Sequence, residues 1–255
     1  MSTTQSLDRP TPVAGRLLGF AYALLAYNLA NAVTVYTILF GWNLIPWRAV
    51  DVGPAHPPEI SVLVNVALIG LFGIQHSLMA RPGFKAVLTR WLPQPLERAT
   101  YLMATVAVLA ILFLFWQPIP IELLTIEDQT LRNVILAVSA FGWFIALSTT
   151  FLIDHFELFA LRQAWCWLRG KPMTYPEFQI KGYYKLVRHP MQFGILLAVW
   201  ASPDITMGRV LFAGGLTLYV LIGLAFEERA LRREFGDPYR AYQKRTPMLV
   251  PFVRF

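Results

Sequence analysis

Residues 131–153 read LRNVILAVSAFGWFIALSTTFLI, and after Arg132 no charged side chain appears until Asp154. A helix of that length rises about 34 Å, enough to cross the roughly 30 Å hydrocarbon layer of a bilayer. An apolar run this long exceeds what a soluble core helix needs, so the segment reads as a membrane span. Working outward, the same pattern predicts spans over 17–40, 60–80, 99–116 and 209–226, and the 131–153 helix is expected to continue past the membrane edge toward Leu168. A further apolar segment, 191–201, is too short to cross untilted. Ser202-Pro203-Asp204 and Gly208 follow it as turn residues, so 191–226 is expected to form a helical hairpin. Composition agrees: of 255 residues 56% are hydrophobic and 15% charged, against about 25% charged in a soluble domain. The fold class is therefore an all-α integral membrane protein, a bundle of five to six transmembrane helices ending in a short C-terminal hairpin. A single domain is expected over 17–255, preceded by a polar segment over 1–16.

The formal charge of +7 does not indicate nucleic acid, because the basic residues lie in loops beside apolar runs, where topology and anionic lipid place them. Residues 81–98 hold four basic residues against one acid, 155–190 hold six against two, and 227–255 hold seven against four. The intervening loops, 41–59 and 118–132, are poor in lysine and arginine. The positive-inside rule then puts both termini and the basic loops on the cytoplasmic side of a bacterial inner membrane. The first apolar run is too long for a signal peptide and is expected to be retained. Cys166 has no second cysteine to pair with and reads as a small buried residue. Trp42, Trp47, Trp116, Trp165 and Trp167 fall near span ends and read as interfacial anchors.

Ionisable groups near spans are costly and mark interior or water-lined sites. Here Gln75-His76-Ser77 ends the second span, Asp154-His155 and Glu157 end the fourth, Arg188-His189 opens the short helix, and Glu227-Glu228 closes the last. Four segments thus deliver polar side chains to one depth, while the opposite ends offer no histidine except His56 in a proline-rich loop. This convergence points to an active site open to cytoplasmic solutes.

The most specific stretch runs Gly182-Tyr183-Tyr184-Lys185-Leu186-Val187-Arg188-His189-Pro190, followed by Gly194. Beyond the hairpin come Glu227-Glu228, Leu231, Phe235-Gly236, Tyr239, Tyr242, Pro247 and Pro251. This order and spacing over 181–251 resembles the C-terminal signature of the isoprenylcysteine carboxyl methyltransferase superfamily, which includes phospholipid methyltransferases and NnrU-like proteins. One departure is Gln192, where that family often has tyrosine. Upstream, Gln75-His76-Ser77-Leu78-Met79-Ala80-Arg81-Pro82, Glu97-Arg98-Ala99-Thr100-Tyr101 and His155-Phe156-Glu157-Leu158-Phe159-Ala160-Leu161-Arg162-Gln163 look like the methanethiol S-methyltransferase branch. The resemblance implies methyl transfer from S-adenosylmethionine to methanethiol, giving dimethyl sulfide, with a donor pocket on the cytoplasmic side. It also implies that Arg188, His189 and Pro190 help hold the donor, that Tyr184 and Tyr239 wall it, and that Glu227 and Glu228 take its amino group or ribose. The alternative is that Arg188 and Glu228 are an ion pair bracing the hairpin. Tyr242 reads equally as packing or ligand.

The chemistry asks for a base, since a thiol is largely protonated near neutrality and the thiolate is the nucleophile. His76 is the first candidate, supported by Tyr101 on the next span, and the competing reading is a histidine bonded to a neighbouring helix. His155 is the second, with Asp154 and Glu157 as orienting groups, although Asp154 and His155 are adjacent and do not share a helix face. No metal is expected: the histidines lie far apart, with no H-E-x-x-H or C-x-x-C spacing. The expected partners are a small thiol and membrane lipids. Other functions stay open: methylation of a lipid-like thiol, a prenylcysteine carboxylate or a lipid amine, or an NnrU-like accessory or transport role without methyl transfer.

Overall fold

The computed structural model describes residues 12–54, 56–174 and 178–253. Most of the expected N-terminal segment, residues 1–11, lies outside the described residues. In chain order the elements are α1 (Val13–Gly41), α2 (Pro58–Met79), α3 (Pro82–Leu88), a 3₁₀ turn (Gln94–Leu96), α4 (Glu97–Phe115), β1 (Glu122–Thr125) and α5 (Gln129–Ile153). There follow α6 (His155–Leu158), α7 (Leu161–Leu168), a second 3₁₀ turn (Gly182–Lys185), α8 (Pro190–Trp200), β2 (Asp204–Thr206), α9 (Met207–Phe235) and α10 (Asp237–Arg245). Helices α1, α2, α4, α5 and α9 are long and apolar enough to span a membrane. With 11 residues, α8 reaches only about 16 Å, as its sequence length implied.

Packing follows residue size. The α1–α4 face is built from Ala23, Ala26, Ala30 and Ala99, small side chains that let the backbones approach. Helix α8 lies against α5, where Gly142 meets Gly194. A Cβ on Gly194 would stand 2.6 Å from the Gly142 carbonyl oxygen and 2.7 Å from the Ala146 nitrogen. Ser139 adds a hydrogen bond across the same face, Oγ to the Ala198 carbonyl at 2.8 Å. Large apolar residues such as Leu18, Leu63, Ile74, Leu114, Phe144 and Phe151 face outward, as lipid-facing positions must when the solvent is hydrocarbon.

One end of the bundle is closed by loops. Asp51, in the loop after α1, pairs with Arg209 Nη2 at 3.2 Å and accepts the Thr206 hydroxyl. The Asn43 amide donates to the same carboxylate at 2.8 Å, and Arg209 also reaches the Gly41 carbonyl at 2.9 Å. Strands β1 and β2 pair antiparallel, and the backbone nitrogens of Met207 and Gly208 continue onto Ile121 and Ile119. The sequence treated these stretches as plain outer loops. Their few backbone groups are instead satisfied by each other, as groups near a bilayer must be.

Two further expectations are corrected. Helix α5 does not run on toward Leu168. At Asp154 the backbone turns extended (φ −164°, ψ 93°), and its carboxylate caps α6 through the Glu157 nitrogen at 2.9 Å while pairing with Arg162. Ala160, with φ 67°, turns the chain again before α7. Trp116 is not an interfacial anchor: it is fully buried, packs on Phe40 and Phe212, and its indole donates to the Val50 carbonyl at 3.0 Å. Trp47, by contrast, is 70% exposed, as an anchor should be.

Candidate active site

At the end of the bundle opposite the loop closure, His76 sits in the last turn of α2 between α4 and α9. Its Nε2 lies 2.5 Å from the Tyr101 hydroxyl, and its Nδ1 lies 3.2 Å from Thr105 Oγ1. Tyr101 and Thr105 are four residues apart on α4, so one helix face presents both groups to the ring. Aromatic rings close the remaining sides: Phe72, one turn earlier on α2, at 5.2 Å between centroids, and Tyr219 of α9 at 5.9 Å. The pairing of His76 with Tyr101 was legible from their positions at adjoining span ends. Thr105 and Tyr219 were not anticipated, because a single polar residue inside an apolar run carries no periodic signal.

A second cluster surrounds Glu228 of α9. Its Oε1 accepts Arg188 Nε at 2.8 Å, His189 Nε2 at 2.7 Å and the Tyr239 hydroxyl at 2.9 Å, while Oε2 accepts the Gln243 amide. Arg188 also donates to the Thr246 carbonyl at 2.5 Å. Local structure explains the assembly. Pro190 starts α8 at a position where no N–H is required, leaving Arg188 and His189 on the extended entry, whose backbone nitrogens bond Pro247 and Met248. Gly236, at φ 60°, turns α9 into α10 and brings Tyr239, Tyr242 and Gln243 back over α9. The Tyr242 hydroxyl donates to the Tyr184 carbonyl at 2.6 Å, so its role is to pack the tail. Burial pushes the Tyr239 phenol well above the usual range, and the Glu228 carboxylate beside it adds to the shift.

Glu228 is therefore fully engaged, whereas its neighbour Glu227 is not. The Glu227 side chain is 47% exposed, and its closest ionic partner among the described residues is His189 Nδ1 at 3.8 Å. Its carboxylate also faces Tyr184, whose phenol is pushed up to about 12 by burial and, second, by Glu227. A half-open carboxylate beside a phenol and an imidazole edge can take an ammonium or a diol next to an aromatic ring.

The two clusters belong to the same end of the molecule. Arg81, just past α2, lies 3.9 Å over the ring of Phe226, the residue before Glu227. His155 forms a third, separate station, held by Thr150 at Nδ1 (2.8 Å) and Tyr27 at Nε2 (3.1 Å) and stacked on Phe151. Burial holds its pKa below the usual imidazole value. Asp154 and Glu157 do not orient it: Asp154 serves α6 and Arg162, and Glu157 accepts from Gln163. Two clefts, of about 580 and 450 Å³, lie elsewhere at this end, lined by Gly19, Leu96 and Trp167 and by Phe20, Asp154 and Trp165. Among the described residues no three metal-binding side chains converge.

A multi-pass helical bundle that gathers a His–Tyr pair and an Arg-His/Glu-Glu cluster at one end defines a class of integral membrane protein with enzyme-like polar chemistry. The chain is 41% identical to the methanethiol S-methyltransferase of Pseudomonas deceptionensis, over 96% of this chain and 94% of that one. It is 39% identical to methanethiol S-methyltransferase 1 of Bradyrhizobium diazoefficiens, over 94% of this chain and 84% of that one. The chain belongs to the methanethiol S-methyltransferase family. A more distant likeness, 28% identity over 62% of this chain and 58% of the other, links it to nurim of Xenopus laevis. No family model matches the chain, and no solved structure matches it.

Proposed function

We propose that this chain transfers a methyl group from S-adenosylmethionine to methanethiol, giving dimethyl sulfide and S-adenosylhomocysteine, at the cytoplasmic face of a bacterial inner membrane with both termini on that side. The observation that carries the reading is the placement of the His76–Tyr101 pair and the Glu227–His189 edge at one end of the bundle, bridged by Arg81 over Phe226. Relatives at about 40% identity over most of the chain carry that activity in their names.

In this reading Arg188, His189, Pro190, Glu228 and Tyr239 form the frame of the donor pocket, and Glu227 and Tyr184 are the groups left to touch the donor. S-adenosylmethionine bound there would supply an electrophilic methyl group on a sulfonium. The chain's own part is to align the acceptor sulfur, exclude water and take the thiol proton. His76, paired with Tyr101, receives that proton, and His155 is the second candidate. Phe72 and Tyr219 make the surroundings apolar, which suits a small thiol arriving from the bilayer.

The test is to express the chain in a host that makes no dimethyl sulfide, feed methanethiol and sample the headspace. Gene-dependent dimethyl sulfide is the expected result, with loss in His76→Ala. Binding of S-adenosylmethionine to purified protein without any thioether from methanethiol would overturn the acceptor, and neither binding nor product would overturn the enzyme assignment.

A further inference from the structure

We infer that Thr105 is a positioning residue that fixes His76 in the Nδ1–H tautomer and so keeps Nε2, with the Tyr101 hydroxyl on it, as the proton-accepting edge. The inference rests on the reading of His76 as the base.

One hydroxyl decides the tautomer. Thr105 Oγ1 has one proton and two lone pairs. It lies 3.0 Å from the Tyr101 carbonyl oxygen, 3.5 Å from Gln75 Nε2 and 3.2 Å from His76 Nδ1. The carbonyl can only accept, so the hydroxyl proton belongs there; turning it toward Nδ1 would set two oxygens at 3.0 Å with lone pairs opposed. The Gln75 amide donates into one remaining lone pair. What is left for Nδ1 is to donate into the other, and a neutral imidazole protonated at Nδ1 is bare at Nε2. The Tyr101 hydroxyl at 2.5 Å is then the donor to that nitrogen.

The same device recurs at His155, which makes the arrangement a pattern of this fold. Thr150 donates to the Leu147 carbonyl at 2.7 Å, meets His155 Nδ1 at 2.8 Å, and leaves Nε2 to the Tyr27 hydroxyl at 3.1 Å. At His76 both brackets come from α4, one turn apart, so the ring is gripped by a single rigid element and not by two helices free to shift.

The consequence for proton movement is specific. The S–H bond of the acceptor breaks with its electron pair left on sulfur, and the proton goes to Tyr101 Oη. The phenol's own proton passes to Nε2. The result is a thiolate, a restored phenol and an imidazolium whose Nδ1–H still points at Thr105, so nothing at Nδ1 has to rearrange. With the other tautomer, Nε2–H would face Tyr101 and no lone pair would be available to receive the proton.

The test uses full-length protein in lipid nanodiscs with ¹⁵N-labelled histidine, the His76 resonances being assigned by difference against His76→Asn. The wild type is expected to show a protonated Nδ1 and a bare Nε2. Thr105→Val removes the oxygen at nearly constant shape; the Nε2–H form should then appear, and kcat should fall at least about tenfold with little change in KM for the thiol. Thr105→Ser should restore both. A wild-type spectrum of the Nε2–H form, a Thr105→Val protein with unchanged spectrum and kcat, or a Thr105→Ser protein no better than the valine variant would each overturn the inference. The tautomer is read without turnover, so an Nδ1–H spectrum in a protein that makes no thioether would sink the methyl-transfer reading and leave this assignment standing.

Discussion

Replacing Gly194 by alanine tests the contact that sets the position of α8. The added Cβ would stand 2.6 Å from the Gly142 oxygen, 2.7 Å from the Ala146 nitrogen and 3.2 Å from the Ala146 Cα. An unstrained contact needs about 3.5 Å, so α5 and α8 must part by close to 1 Å. The obstructing atoms are backbone and have no rotamer to move into, which puts the cost near the upper end of overpacking, about 3 kcal/mol. Stretching the hydrogen bond from Ser139 to the Ala198 carbonyl adds about 1 kcal/mol, and the better helix propensity of alanine returns about as much. The net expectation is a loss of about 3 kcal/mol, read by reversible unfolding in mixed micelles. Donor affinity should weaken as well, since α8 begins at His189 and Pro190. Gly223→Ala is the control: among the described residues nothing beyond its own helical turn lies within 4 Å of the added Cβ, and it should be neutral or slightly stabilising. If Gly194→Ala matched the wild type within about 0.5 kcal/mol, the close α5–α8 packing would be wrong.

Other substitutions separate frame from ligand contact. Glu228→Ala leaves Arg188 and His189 without their shared acceptor and should cost about 3–5 kcal/mol in the same assay. Glu227→Gln should leave stability within about 0.5 kcal/mol while raising KM for S-adenosylmethionine in a steady-state assay. Trp116→Phe strips the buried Val50 carbonyl of its donor and should cost about 1–3 kcal/mol in a chemical denaturation series. Asp204, hydrogen-bonded to Arg132 through both oxygens, has its pKa held below the usual 3.8. Its stabilising contribution is therefore complete above that unfolded value and lost as pH falls through the lower folded one. Unfolding midpoints of the wild type and Asp204→Asn should converge on acidification, and parallel curves would refute the assignment.

The span positions were legible because lipid demands long apolar runs, and the observed helices start and stop within four residues of the expected ones, except that α9 runs on nine residues past Phe226 to Phe235, carrying its charged last turns out of the apolar run. The polar span ends were legible for the same reason: His76, Arg188 and Glu228 stand out where charge is expensive. The division of labour between the two glutamates was not, since the engagement of Glu228 depends on Gln243, which reaches it only because Gly236 reverses the chain. The break at Asp154 was hidden because the apolar pattern continues through Phe156 and Phe159, and only the capping geometry reveals it. Trp116 looked interfacial by position, yet it folds inward because the 41–59 loop offers its indole an acceptor.

The clasp between Asp51, Thr206 and Arg209 has a mechanical consequence. It anchors α9 at its first turn, while Glu228 lies 19 positions further on, about 28 Å along the axis. The helix is pinned at its far end as well, by the four donors on Glu228, and a tilt of only about 3° about the clasp would carry that carboxylate by roughly 1.5 Å, beyond hydrogen-bonding reach of its partners. The helix is therefore a strut between the two ends of the bundle, and loosening the Asp51 clasp would register at the Glu228 cluster.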